Sequence, residues 1–258
     1  NYGRAPWESW KSSIKTAQID ISETTDASFM FQGCSKLTSI DLSGFDTAKV
    51  TNMSGMFMQC YALESINFGD FNTSSVTDMR RMFDECRQLK TIDLNKFDTS
   101  KVTDMSYMFN GCYKLDSLDV SGFTTDHVNN MSRMFSGCGY TGGLKSLDVS
   151  AFHTGSVTDM SGMFDGCSGL TSLNVSGIRT ENVSNMARMF MSCEKLTDLD
   201  VTSLDTSNVT NMSYMFDGCK MITDLDVTHF NTAKVTDMSG MFNGCSKLAS
   251  LDVRSFDT

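Results

Sequence analysis

The sequence predicts a β-rich solenoid, a right-handed coil of about nine stacked 26-residue turns with short parallel strands. The first observation behind this is a fixed period. Nine cysteines, from Cys34 to Cys245, are separated by 26 residues at every step but one, where the gap is 29. A Met-Phe pair precedes each of them, with the phenylalanine three positions upstream, from Phe31 to Phe242. The second is composition: 20 Met among 258 residues is unusual until 17 of them are seen to occupy two repeat columns. The third is apolar spacing. In the unit from Phe97 to Gly122, the residues Phe97, Val102, Met105, Met108, Phe109, Cys112, Leu115, Leu118 and Val120 are mostly three apart and close on a spacing of two. That fits neither the period of a long helix nor the alternation of a flat sheet. It suits a chain that bends round a core and sends a side chain inward from each short side.

Residues 1–25 depart from the period and are expected to form an N-terminal helical cap followed by a strand. Pro6 suits the first turn of a helix, Trp7, Trp10 and Ile14 share one helical face, and Ile19 and Ile21 then alternate. The tryptophans are expected to cover the open end of the core, with an exposed aromatic binding pair as the alternative. Residues 26–258 are expected to form the solenoid. In each unit the pattern of Leu115, Leu118 and Val120 places a parallel strand at Leu118–Val120 and its equivalents, and a second covers Val102–Met105. Asn-Gly or Asp-Gly before many cysteines, as at Asn110-Gly111, marks a tight turn with glycine at positive φ. The long gap holds an insertion within Gly139–Gly143. One turn cannot cover its own apolar faces, so stacking is required. The chain stops part-way through a turn at Phe256–Thr258, which predicts that the native chain continues and that an uncapped edge there favours end-to-end self-association.

A net charge of −10 argues against nucleic acid as a partner. No stretch approaches the about 18 apolar residues that a membrane-spanning helix needs. The absence of a start methionine and of a signal peptide is read as the mark of an excised or processed segment.

The core wording T-D/N-M-S-x-M-F-x-x-C-x-x-L-x-x-L-D-V recurs eight times with small changes. It resembles the BspA-like leucine-rich repeat family, in the variant of mycoplasma surface lipoproteins and Gram-positive wall-anchored proteins. The likeness covers about residues 26–258, and Trp7, Trp10 and Ile14 resemble the lead-in of such arrays. The resemblance implies a leucine-rich-repeat-like coil on the bacterial cell surface. It implies an adhesin or host-interaction module that binds a host or cell-surface protein or glycan and has no catalytic residues. It identifies no ligand, and no anchor is carried over, because neither a lipoprotein cysteine nor a sorting signal is found here.

Four outward or fixed columns carry residue types capable of chemistry. One cysteine per turn stacks at one position without disulfide geometry or the paired spacing of a zinc site, so buried reduced thiols are expected. Asp or Asn lies between the two apolar residues of each main strand (Asp41, Asn67, Asp93, Asp119 and onward). It is read as a solvated face, with a calcium ladder as the alternative. The column of Thr47, Thr73, Thr99 and their equivalents is read as satisfying turn backbone, with an ice-matching array as the alternative. The residue before the second methionine varies most: Gly55, Arg81, Tyr107, Arg133, Gly162, Arg188, Tyr214, Gly240. Between two inward columns it should face outward. Arg81, Tyr107, Arg133, Arg188 and Tyr214 are therefore the candidate partner-binding residues, because Arg and Tyr are enriched at interface hot spots. Drift at an unconstrained surface position is the other reading.

Catalysis in a repeat requires residues that break it. His127, His153 and His229 occupy three different repeat positions, each without a nucleophile or metal partner close in sequence. No catalytic, metal or cofactor site is expected, and a solenoid lyase using Asp, Lys and Arg is the enzyme alternative. The expected function is a surface-displayed binding module whose repeated contacts gain by avidity. A structural spacer or self-assembling stalk is the alternative.

Overall fold

A computed structural model of the chain describes residues 8–21 and 23–257. Consecutive units stack in parallel, one directly on the next. Parallel bridges join Asp26, Asn52, Asp78, Asp104, Asn130, Asp159, Asn185, Asn211 and Asp237 in an unbroken series. Five strands are long enough to name: β1 (Thr16–Ile21), β2 (Ser39–Phe45), β3 (Ser65–Asn67), β4 (Ser146–Asp148) and β5 (Ser172–Asn174). β1, β2 and β3 form one parallel sheet, and β4 pairs with β5. Pairing matches residues one period apart, such as Ile40 with Ile66 and Leu147 with Leu173.

The hydrophobic columns lie where the period puts them. Phenylalanine rings from Phe31 to Phe242 form a continuous pile, with centroids 5.5–5.9 Å apart and planes within 4–9° of parallel. Met53 and Met56, and their equivalents through Met212 and Met215, are fully buried beside it. The insertion leaves this pile intact. Phe135 and Phe164, on either side of it, are 5.7 Å apart and 6° from parallel. The extra residues bulge outward instead, leaving Tyr140 exposed.

Three expectations need correction. The strand placed at Leu118–Val120 is not formed there. Where strands do form in the equivalent segments they begin a residue earlier, as Ser146–Asp148 and Ser172–Asn174. Each column Asp or Asn turns its Oδ1 onto the N–H two residues on, as Asp119 does to Ser121 at 2.9 Å and Asp148 to Ser150 at 2.8 Å. The same Asx turn is present at Asp41, Asp148 and Asn174, inside or at the end of strands that do form. The second strand, expected over Val102–Met105, is reduced to a single bridging residue, Asp104, flanked by Thr103 N–H donating to Thr77 O at 2.8 Å and Met105 N–H to Asn130 O at 3.1 Å. At the N-terminus the described residues hold one 3-10 turn, Glu8–Trp10. Trp10 is 62% exposed and does not cover the core, whereas Ile14 packs against it. Pro6 and Trp7 lie outside the described residues. β1, whose Ile19 is buried, provides the first rung by pairing with β2.

The acidic and threonine columns are structural joints. All nine members of the main-strand column, Asp41 to Asp252, accept the N–H two residues on. The bridging column from Asp26 to Asp237 does the same. Among the described residues no group of three or more acidic, His or Cys side chains is placed to hold a metal ion. The threonines from Thr47 to Thr232 are buried, which removes the ice-matching plane. Their hydroxyls tie one turn to the next, Thr99 donating to Thr124 O at 2.9 Å and accepting from Thr124 N at 2.8 Å.

The thiols from Cys60 to Cys219 are buried and unbridged. Each also donates to the phenylalanine carbonyl of the preceding turn, Cys60 to Phe31 at 3.2 Å and Cys167 to Phe135 at 3.0 Å. They therefore do more than fill space.

Candidate functional site

The wall built from Met-Ser-x-Met-Phe-x-x-Cys has an alternating hydrogen-bond scheme. Arg81 N–H donates to Ser106 O in the next turn at 2.9 Å, and Phe83 N–H to Met108 O at 2.9 Å. The amides between them turn back within their own coil, Met82 to Met79 O at 3.2 Å and Asp84 to Arg81 O at 3.1 Å. Such successive tight turns require positive φ at fixed places. One place is the residue before each cysteine, where Gly111, Gly137 and Gly166 have φ of 71–73°. The other is the variable column itself. Arg81, Tyr107, Arg133, Arg188 and Tyr214 have φ of 53–61°, in register with Gly55, Gly162 and Gly240 at 58–62°.

The candidate residues therefore occupy backbone that favours glycine, at a cost of roughly 1–2 kcal/mol each. The structure brings them together in two groups. Arg81 lies over the Tyr107 ring at 4.1 Å and Arg133 lies 6.0 Å from the same ring. Arg188 lies 5.4 Å from the Tyr214 ring. Gly162 separates the groups, and its missing side chain is what admits Arg133: a Cβ there would approach Arg133 Cγ to 3.1 Å. Tyr214 rests on Gly240 in the same way, since a Cβ would meet its ring at 2.5 Å. The column is thus a ladder of large side chains leaning onto the next rung and stopped by glycine.

Acidic groups edge the ladder. Asp84 accepts from Arg81 Nη1 at 2.9 Å and from Asn110 Nδ2 at 2.7 Å. Asp165 lies 3.6 Å from Arg133. Burial raises both carboxyls above the usual carboxylate range, against the pull of Arg81 on Asp84 and of Arg133 and Arg188 on Asp165. The sequence reading missed Phe29, which belongs to the same column with φ of 54° and 40% exposure. The signal was available, because Phe29 stands one period before Gly55.

Fold and site together define a parallel repeat solenoid with one wall of interleaved Arg and Tyr. Sequence comparison then places the chain in a family. The family described as "Mycoplasma protein of unknown function, DUF285" matches residues 7–95, 62–146 and 140–252, and the chain belongs to it. No curated protein matches the chain.

Among solved structures, the chain is similar to a leucine-rich repeat protein of T. pallidum at 20% identity and a TM-score of 0.47, over 71% of this chain and 78% of that one. A leucine-rich repeat protein of Eubacterium ventriosum is 16% identical with a TM-score of 0.41, over 96% of this chain and 87% of that one. A leucine rich cell surface protein of Faecalibacterium prausnitzii is 16% identical with a TM-score of 0.32, over 91% and 78%. At such scores these likenesses carry no weight for function. Among the described residues no helix is long and apolar enough to cross a membrane.

Proposed function

We propose that this chain is a non-catalytic binding module, displayed on a bacterial surface, that engages a protein partner through the Arg/Tyr ladder. The observation that carries the proposal is the occupation of five left-handed backbone positions by Arg or Tyr where glycine is cheaper. Drift at a free surface position should run toward glycine there. Side chains kept against that cost, outward and pre-stacked, lose little further freedom on binding, which is what a contact surface needs. Cation–π contacts worth about 0.5–1 kcal/mol each offset only part of the strain. Surface display is the part of this reading that rests on the sequence resemblance.

The test is a binding screen of the soluble chain against immobilised, purified host extracellular and cell-surface proteins, repeated with the R81G/R133G/R188G triple variant. Glycine is chosen because it keeps the positive-φ backbone. Hot-spot side chains contribute about 2 kcal/mol or more each, so a bound protein should lose at least about tenfold in affinity while the variant still unfolds cooperatively, relief of the positive-φ strain offsetting the lost partners of Asp84 and Asp165. Equal binding by the variant would remove the ladder from the proposal.

A further inference from the structure

We infer that the trench between Tyr113, Tyr140 and Asp165 is a binding site for the neutral pyranose ring of a glycan. It lies outside the Arg/Tyr column and at the one place where the period is broken. The residue before the cysteine forms its floor. That position carries side chains in Gln59, Glu85 and Ser192 but is glycine at Gly111, Gly137 and Gly166. The bare floor is needed: a Cβ on Gly137 would approach the Tyr113 ring to 2.9 Å. The resulting cleft has a volume of about 440 Å³, within the usual range of small-ligand sites.

The insertion builds one wall. Thr141 N–H donates to Tyr113 O at 2.9 Å and its hydroxyl to the same oxygen at 3.3 Å. These bonds pin the bulge so that the Tyr140 ring stands 6.0 Å from Tyr113 at 61°, an aromatic corner. Tyr113 is held from behind by Arg87, 5.8 Å away, which is itself bound to Glu85 at 2.6 Å. The facing wall is polar and comes from Asn110, Ser136 and Asp165. Glycines also precede Cys219 and Cys245, but Lys220 and Ser246 follow those cysteines and supply no aromatic wall.

A pyranose has an apolar C–H face and a rim of hydroxyls, which matches a trench with tyrosine on one side and amide and carboxylate on the other. The carboxylate of Asp165, on a chain of net charge −10, disfavours an anionic sugar.

Saturation-transfer NMR and calorimetry on the whole chain provide the test. The probes are the methyl glycosides of glucose, galactose, mannose and N-acetylglucosamine, their short oligomers, and sialyllactose as the anionic control. At least one neutral glycoside should receive transfer at its ring protons. Y140A should weaken that ligand about tenfold with unchanged melting, since Tyr140 is exposed, while Y140F should retain it. No transfer to any neutral saccharide at millimolar concentration would overturn the inference. So would preference for sialyllactose or full binding by Y140A.

Discussion

The hydroxyl of Thr154 makes two hydrogen bonds to one residue of the following turn, accepting from Arg179 N–H at 2.8 Å and donating to Arg179 C=O at 2.7 Å. Thr154 is 1% exposed, so the clasp operates without water. The same pairing recurs at Thr99 with Thr124 and at Thr125 with His153. Substitution by valine keeps the shape and leaves the backbone N–H and C=O of Arg179 without this partner. T154V should lower stability by about 2–4 kcal/mol in urea unfolding, because each stranded group costs about 1–3 kcal/mol. T154S should cost clearly less. Equal losses for the two variants would mean that packing, not the hydroxyl, is what matters.

The thiol column predicts alkaline sensitivity. Burial pushes the Cys167 and Cys219 thiols from the ordinary 9.0 up to about 12, and those of Cys86, Cys138 and Cys193 well above that ordinary value. A folded-state value above the unfolded one gives stability that is complete below pH 9 and is lost as pH rises from about 9 toward 12. Melting temperature should fall cooperatively in that window. Native protein near pH 8 should react little with a thiol reagent, whereas the denatured chain exposes nine thiols. A variant with serine at several of these positions should show a shallower alkaline slope.

Acid acts through the Asx turns with the opposite sign. Hydrogen bonds from Thr202 lower the Asp200 carboxyl, and those from Ser121 lower Asp119. Such groups contribute stability above the ordinary 3.8 that is lost as pH falls below it. Buried Asp84 and Asp165, shifted upward, act in the window above: they add stability as pH falls through their raised values toward the ordinary 3.8. Asn already serves at positions 67 and 174 of this column. D200N should therefore melt as the wild type does at pH 7 and less acid-sensitively, while D200A should melt lower at every pH.

The left-handed positions predict a reciprocal pair. Ser192 has φ of 56° and Gly218, one turn on, has φ of 73°. S192G should raise stability and G218A should lower it, each by about 1–2 kcal/mol in chemical denaturation. A Cβ at Gly218 would lie 3.4 Å from Ser192, ordinary contact, so backbone strain rather than a clash sets the second effect. No change for either variant would contradict the positive φ.

Much of the fold was legible because apolar residues report which way a side chain points, and the period repeats that report. Met, Phe, Cys and Leu columns were placed inward from spacing alone, and they are inward. Gly111 and its equivalents were read as positive-φ turns, and they are. The strand expected at Leu118–Val120 is absent although its apolar alternation matches that of the segment holding Ser146–Asp148, which is a strand, so alternation alone does not report whether neighbouring turns pair there. Five candidate ladder residues were picked for their type and variability, but their left-handed backbone and their division by Gly162 were not visible. Phe29 was overlooked although its register was plain, and the Tyr113–Tyr140 corner depends on where a bulge folds back.

The sequence alone determined the stacking period, the inward columns and the class of fold, since each follows from hydrophobic spacing along one strand of text. Only the tertiary structure decided what the polar columns do. A carboxylate that caps its own turn and an arginine held at positive φ are local conformations that stacking selects, whereas a threonine that clasps the next coil is defined by distances between rungs. Those distances come into existence when one turn closes on another.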